Sequence, residues 1–557
     1  MPRVRAWWPG AVAGLVAAAL ALAVGELVAR LLEGESLVRA IGDVVVDSSP
    51  RAVSGVAIET FGTSNKPALL SGVVALSLLL GALLGPLAMR YRAIGVGAMA
   101  AFALAGGLAA ARDPFTSPAQ AWTTAAAAGG AGIATLLWLL RMANEGGADA
   151  RAAPPDPRVK RPGRRRFLQF AGGGLAVAAL SVPLGRRLIE PADDVDAQRA
   201  AIVLPPPSTP APGTLTPASE EATPQPPPGA RTPASQTPTP EPSPAVQSGP
   251  ASVPGISPLV TPNSEFYRID TRLSVPRIDS AQWRLRITGM VERPAEFTFD
   301  ELLAMDLREE VSTLACVSNE VGGDLVGTAY WLGVPLPALL RGAGVQADAT
   351  QVIGRAVDGF TVGFPTDVAL DGRESLVVFG MNGEPLPADH GFPARLIVPG
   401  LYGYVSATKW LGEIELSRLD SFDAYWVYRG WPQQAPIKLQ SRIDVPRGGQ
   451  SLAPGNMRIA GVAWGGLSGV SGVQVRVSRR STGGERSEGA WTDAELGEEL
   501  SDSSWRQWVA DWVASEGVFD LEVRAIDRSG MVQTAEEAPP FPDGATGHHS
   551  IRVRIRA

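Results

Sequence analysis

Four apolar stretches, near residues 10–32, 68–89, 93–111 and 120–140, restrict the N-terminal part of this 557-residue chain more than any other feature. Each is close to the roughly 20 residues that a helix needs to cross a bilayer, where only helices and closed barrels satisfy their own backbone polar groups. The expectation is a transmembrane helix bundle of four spans over residues 1–145, with the second stretch the cleanest. Glu26 and Arg30, four apart near the end of the first span, share one helix face and can pair there.

Positive charge orients the bundle. Arg3 and Arg5 precede the first span, Arg90 and Arg92 join the second to the third, and arginines from Arg141 to Arg166 follow the fourth, whereas the loops at 33–67 and 112–119 are poorer in cations. The positive-inside bias then puts both ends of the bundle in the cytoplasm. No histidine precedes His390, so the bundle cannot hold a haem between paired histidines. Next comes RPGRRRFLQFAGGGLAVAALSVPLG, where Arg164 and Arg165 open a pattern that resembles a twin-arginine export signal placed internally; a plain positive stop before a fifth membrane helix reads the same residues. Either way, residues beyond about 190 lie outside the cytoplasm. With Arg186 and Arg187 following the apolar stretch and no convincing cleavage site, retention of 146–190 as a fifth membrane helix is favoured over cleavage.

Residues 191–255 are Pro, Thr, Ser and Ala with almost no large apolar side chains, a composition that reads as a disordered stalk. From 256 to 435, short β runs such as WRLRITGMV and SLVVFGM alternate with helical ones such as FDELLAM and PLPALLRGAG, which predicts an α+β domain. Residues 436–557 read as all β. In SIRVRIRA, Ile551, Val553 and Ile555 alternate with Arg552, Arg554 and Arg556, the pattern of a half-buried antiparallel strand. An immunoglobulin-like sandwich is predicted there, with Trp505, Trp508 and Trp512 as core and interface aromatics. Net charge is −7 and the basic residues form no surface stripe, which excludes nucleic acid as an expected partner.

Chemistry converges on TLACVSNEVGGDLVG, residues 313–327, because Cys316 is the only cysteine. One sulfur makes neither an intrachain disulfide nor the usual thiolate zinc site, leaving an inert core thiol, a nucleophile or a single bond to a cofactor metal. Ser318, Asn319, Gly322 and Gly323 make a small-residue turn after a buried strand ending near Ala315, a loop that a core thiol does not need. A nucleophile needs a base, and the chain has three histidines, His390, His548 and His549.

With AVDGFTVGFP, DHGFPARLIVPGLYGYVSATKWLGEIEL and YWVYRGWP downstream, the cysteine loop resembles the sulfite oxidase family of molybdopterin enzymes over about 180 residues. The resemblance implies a molybdenum-molybdopterin cofactor with Cys316 as metal ligand, His390 and Arg395 as pterin-binding residues, and Lys409 with Trp410 closing the pterin pocket. It marks Tyr428 as an active-site tyrosine beside the substrate. It further implies cofactor contacts at Asn319, Asp358, Thr361, Ser406 and Thr408, and at Tyr267 and Asp270 in the entry segment NSEFYRIDTRLSVP. The C-terminal sandwich resembles the family's dimerisation domain, which implies a homodimer. Insertion of the cofactor before export would also suit a twin-arginine route.

Two departures bear on the substrate. After Cys316 come Val317, Ser318, Asn319, Glu320 and Val321 where sulfite oxidases carry anion-binding arginines, so sulfite is a weaker expectation than a broader small-molecule substrate. No CxxCH and no cysteine set for an iron–sulfur cluster is present, so a separate electron carrier or redox partner is expected. The expected protein is a multi-pass cell-membrane oxidoreductase with extracytoplasmic catalytic domains doing two-electron, oxygen-atom-transfer chemistry. A stalked, non-catalytic binding protein and a cysteine hydrolase using Cys316 and His390 are the alternatives.

Overall fold

A computed structural model describes residues 7–49, 65–152, 169–173, 194–208, 250–481 and 483–556. Arg164, Arg165 and nearly all of the expected fifth helix lie outside these residues. The chain divides into two compact units: residues 1–198 with 270–277 and 357–359, and residues 199–269, 278–356 and 360–557.

The first unit is helical. Helices α1 (Trp8–Leu31), α2 (Leu37–Ser48), α3 (Asn65–Arg90), α4 (Arg92–Ala110) and α5 (Pro118–Ala152) follow one another. All but α2 include a segment long and apolar enough to cross a membrane, matching the four expected spans. Small residues let the backbones close up. A Cβ on Gly14 would lie 1.9 Å from the carbonyl oxygen of Gly81, and one on Gly85 would lie 1.9 Å from that of Gly10, so α1 and α3 cross backbone to backbone. Glu26 and Arg30 do pair, at 3.0 Å. Within this unit Arg272 is held by Asp113 and, at 3.6 Å, by Asp43, which also accepts the Leu273 amide.

The second unit is built on sheets. One five-stranded sheet runs Ala295–Thr298, Arg284–Gly289, Leu411–Ser417, Gln351–Ala356, Thr361–Pro365. In the other, Arg308–Ala315 pairs with Val326–Pro335 and that strand with Leu376–Met381, which also carries Glu384–Pro385 and Arg395–Ile397. The expected helices are there and short: Phe299–Leu303 starts with a Thr298/Glu301 capping box, and Leu336–Ala343 stops at Gly344, where φ is 73°.

Two further sheets form the C-terminal sandwich. Gln440–Val445, Gly455–Trp464, Arg506–Ala514 and Glu495–Leu496 make one. The other contains His549–Ile555, Gly517–Ile526 and Gly472–Arg480. Ile459, Trp508, Leu521, Val523, Val553 and Ile555 meet between them, so the alternation in SIRVRIRA does face Val553 and Ile555 into a core. Trp505 and Trp508 are buried, as expected of core aromatics.

The expectation of a disordered stalk over 191–255 is corrected at both ends. Asp194–Ala201 is helical, Arg199 donates to the carbonyls of Pro385 and Leu386, and the Ser208 amide donates to that of Leu307. Pro250–Ser252 forms a 3-10 turn, and the buried Val253 beside it packs with Ala460 and Val509. Too little apolar surface to fold alone does not prevent a segment from packing on a domain that already exists. Residues 209–249 lie outside the description.

Candidate active site

Cys316 follows directly on the strand Arg308–Ala315, and the loop that it opens rejoins the sheet at Val326. The Cys316 amide donates to Leu325 O at 2.9 Å, the Asn319 amide to Cys316 O at 3.0 Å, and the Leu325 amide to Asn319 Oδ1 at 2.9 Å. These bonds close the loop on itself. Cys316 is half-buried rather than fully enclosed. Burial raises the thiol pKa, and the amide and hydroxyl of Ser318, both bonded to the sulfur, oppose that rise.

Around the sulfur stand groups from distant parts of the sequence. Tyr267 lies deep, stacked on Phe266 with centroids 5.3 Å apart; burial and the proximity of Cys316 push its hydroxyl well above the usual range, while Arg395 pulls the other way. Arg395 is buried with its guanidinium 5.0 Å from the Trp331 ring, and burial lowers it to about 10. Three side chains clamp one short turn: Trp410 Nε1 donates to Ala388 O at 2.9 Å, Lys409 Nζ to Asp389 O at 3.0 Å and Arg395 Nη1 to His390 O at 3.1 Å. Gly391, at φ 112°, makes that possible, since a Cβ there would stand 3.0 Å from Lys409 Cα. His390 is fixed by Nε2 at 3.0 Å from Asn263 O and lies edge-on to Phe266.

Other expected site residues are placed differently. Ser406 is fully buried, but its hydroxyl donates to Tyr402 O at 3.0 Å, and Thr361 Oγ1 accepts the Tyr425 amide at 3.0 Å. Tyr428 is 75% exposed on the turn after Ala424. Asp270 and Asp358 belong to the two short segments that group with the helices. Among the arginines that could replace the missing anion-binding ones, Arg272 is held by Asp43 and Asp113, Arg268 pairs with Asp389 and Arg429 lies 3.7 Å over Tyr425. Glu320 is solvent-exposed, so its charge is screened and does not by itself repel an anion from the cysteine.

Sequence reasoning missed Tyr402, buried and raised to about 12 by its burial, with Cys316 among the smaller contributors. It also missed Arg442 and His549, which reach the cysteine loop from the sandwich.

A Cys–His nucleophile pair needs a lowered thiol and a basic imidazole. Here burial raises Cys316 and, with the charge of Arg395, drives His390 down to about 4. Neither shift favours the hydrolase reading.

Residues 272–426 match the family described as oxidoreductase molybdopterin binding domain. Rat mitochondrial sulfite oxidase is 30% identical over 327 residues, 50% of this chain and 58% of the rat protein. The NADH nitrate reductase of Solanum lycopersicum is 32% identical over 182 residues, 28% of this chain and 20% of the plant one. A solved structure, the sulfane dehydrogenase SoxCD from Paracoccus pantotrophus, aligns over 53% of this chain and 81% of that one, at 23% identity and a TM-score of 0.45. The chain is thus similar to sulfite oxidases through a region that matches a molybdopterin-binding oxidoreductase family, and it spans little more than half the length of the rat enzyme.

The residues present fit such a cofactor. Asn319 Nδ2, Arg395 Nε and Thr408 Oγ1 are buried with no protein partner, an arrangement that folded proteins keep where something else accepts or donates. Gly354 packs closely beside one of them, since a Cβ there would sit 2.4 Å from Thr408 Oγ1. Soft sulfur suits a transition metal, whose charge would offset the burial that now disfavours the thiolate.

Proposed function

We propose that this chain is a membrane-tethered oxidoreductase acting outside the cytoplasm on a small substrate by two-electron, oxygen-atom-transfer chemistry, and passing electrons to a separate carrier. The observation that carries the reading is the set of unpartnered buried polar atoms, Asn319 Nδ2, Arg395 Nε and Thr408 Oγ1, in the domain that holds the only cysteine, Cys316. The four apolar helices and the arginines around them support the tether and its orientation.

Cys316 would be the protein ligand to molybdenum, and Arg395 and Lys409 the cationic partners of the pterin phosphate. The bound group supplies the two-electron redox change; the protein binds, orients and manages protons. Tyr267, whose hydroxyl burial pushes further above its ordinary range, can donate a hydrogen bond from Oη. Asn319 holds the cysteine loop through Oδ1 while Nδ2 remains available to a ligand. We propose that the substrate lies outside the sulfite dianion class, because the loop after Cys316 supplies no arginine.

Purified full-length protein from a host that makes molybdopterin is expected to hold about one molybdenum per chain, and Cys316→Ala is expected to lose turnover while keeping its fold. The loaded protein would be screened with sulfite, sulfoxides, N-oxides and nitrate against artificial electron donors and acceptors. Wild-type protein without molybdenum, or Cys316→Ala with full turnover, overturns the reading; fast sulfite turnover overturns only its substrate part.

A further inference from the structure

The cysteine loop is also held from outside its own sheet, by two residues of the C-terminal sandwich. Gly322 has φ 78°, and a Cβ built there would lie 2.3 Å from Cδ2 and 2.4 Å from Nε2 of His549, so the imidazole edge rests directly on the loop backbone. His549 opens the strand His549–Ile555, and its Nδ1 accepts the Ile443 amide at 2.9 Å. That bond fixes the tautomer: in the neutral ring the proton is on Nε2, on the edge turned to Gly322. Arg442, one residue before Ile443, donates Nη1 to the next carbonyl of the loop, Gly323 O, at 2.7 Å. Its other nitrogens are anchored, Nε on Asp444 Oδ1 and Nη2 on Ser257 Oγ, each at 2.7 Å. A guanidinium tied on three sides is a rigid strut, and an imidazole tied through Nδ1 is a rigid plate.

We infer that His549 and Arg442 are positioning residues for the metal-binding loop: the sandwich fixes the 320–323 turn and thereby the direction in which Cys316 presents its sulfur. This rests on the proposed role of Cys316 as metal ligand, and it gives the sandwich a part in the site beyond dimerisation. Besides the turn bond from the Gly323 amide to Glu320 O at 2.9 Å, the loop's own hydrogen bonds lie on the Asn319 and Leu325 side, and the glycine turn has outside support from Arg442 and His549. Neither residue touches the reacting atoms.

Because Cys316 is the only cysteine, the test needs no cofactor. Full-length, cofactor-free protein would be alkylated with iodoacetamide at a temperature where melting curves show each variant folded. His549→Asn keeps an acceptor for the Ile443 amide but withdraws the ring from Gly322; Arg442→Gln removes the strut. Each is expected to speed alkylation of Cys316 and to lower molybdenum loading by about tenfold or more, the size usual for residues that orient a metal ligand. In a double-mutant cycle, Gly322→Ala is expected to slow loading strongly beside His549 and much less beside Asn, since the positive φ cost is common to both and the collision is not. Alkylation and loading at wild-type rates in both folded single variants would overturn the inference, as would a Gly322→Ala effect independent of residue 549. Faster alkylation in a protein whose wild type binds no molybdenum would leave the braces standing and fail the proposed function instead.

Discussion

Two regions of the second unit bury charge, and they have been finished to different degrees. On the outer sheet of the sandwich, Glu522 accepts from Arg476 at 2.7 Å, Arg486 at 2.6 Å and His548 at 2.9 Å, while Asp520 accepts from Arg480 at 2.6 Å and Arg552 at 2.8 Å. Trp491 lies between Arg476 and Arg524, with their guanidinium carbons 4.7 and 4.2 Å from its ring centre. Burial alone would raise Glu522; the bonds from Arg476, His548 and Arg486 more than offset that and hold it near 2. Around Cys316 the reverse holds: Asn319, Arg395 and Thr408 each keep a buried polar atom without a protein partner. A region that satisfies itself stabilises the fold; one that leaves donors unpaired lowers stability until a ligand arrives.

The largest contrast should come from removing one charge in each region. Arg395→Met takes a partly unpaired cation out of a buried place, so the cofactor-free protein should change stability by no more than about 1 kcal/mol while cofactor affinity falls by roughly thirtyfold or more. Glu522→Gln instead strips the shared partner from Arg476, Arg486 and His548. It should cost about 2 kcal/mol, below the range for a fully buried pair because the outer ends of the arginines reach water, and leave cofactor loading unchanged. Calorimetry and molybdenum analysis read both; equal stability losses in the two variants would erase the distinction.

Acidification offers the next test. His390 and His549 are each pushed down to about 4, chiefly by burial, from an ordinary value of 6.5. Between those values the unfolded chain takes up protons that the folded one refuses, so stability falls as pH drops through that window and levels off below 4. From pH 6.5 to 5 each histidine should cost about 2 kcal/mol. Glu310, raised by burial to about 7, acts in the opposite sense: its contribution is complete below its ordinary value of 4.5 and is lost as pH rises towards 7. Cofactor-free Glu310→Gln should therefore melt with a steeper fall between pH 7 and 5 than the wild type, and His549→Asn with a shallower one.

What could be read from the sequence was whatever is locally encoded. The apolar runs, the alternation in SIRVRIRA and the helical run FDELLAM announce their elements because each signal lies within one element. Short motifs likewise marked Cys316, His390, Arg395, Lys409 and Trp410, which the fold places in the cysteine loop and around the 388–390 turn. His549 could not be found that way: it and His548 are adjacent in sequence, and only strand pairing sends one to Ile443 and the other to Glu522. Arg442 and Tyr402 were hidden for the same reason, their partners being far away in the chain. Tyr428 shows the converse, a motif position that resemblance marks and the fold leaves exposed.

The smallest expected effects come from two residues in one stretch. Ser406 and Thr408 are both fully buried and both marked by resemblance as cofactor contacts, but Ser406 donates its hydroxyl to Tyr402 O whereas Thr408 Oγ1 has no protein partner. Ser406→Ala removes a satisfied intrachain bond and should cost about 1 kcal/mol with cofactor affinity unchanged. Thr408→Val keeps the shape and removes an unsatisfied hydroxyl, so the cofactor-free protein should be as stable or up to about 1 kcal/mol more so, while cofactor affinity drops by several-fold. The two variants thus carry opposite signs on stability and unequal effects on loading, although the substitutions look alike in sequence. Melting of the cofactor-free proteins and titration of loading decide the matter: Ser406→Ala with the greater loss of loading would show that resemblance, and not the pattern of satisfied and unsatisfied atoms, locates the contacts.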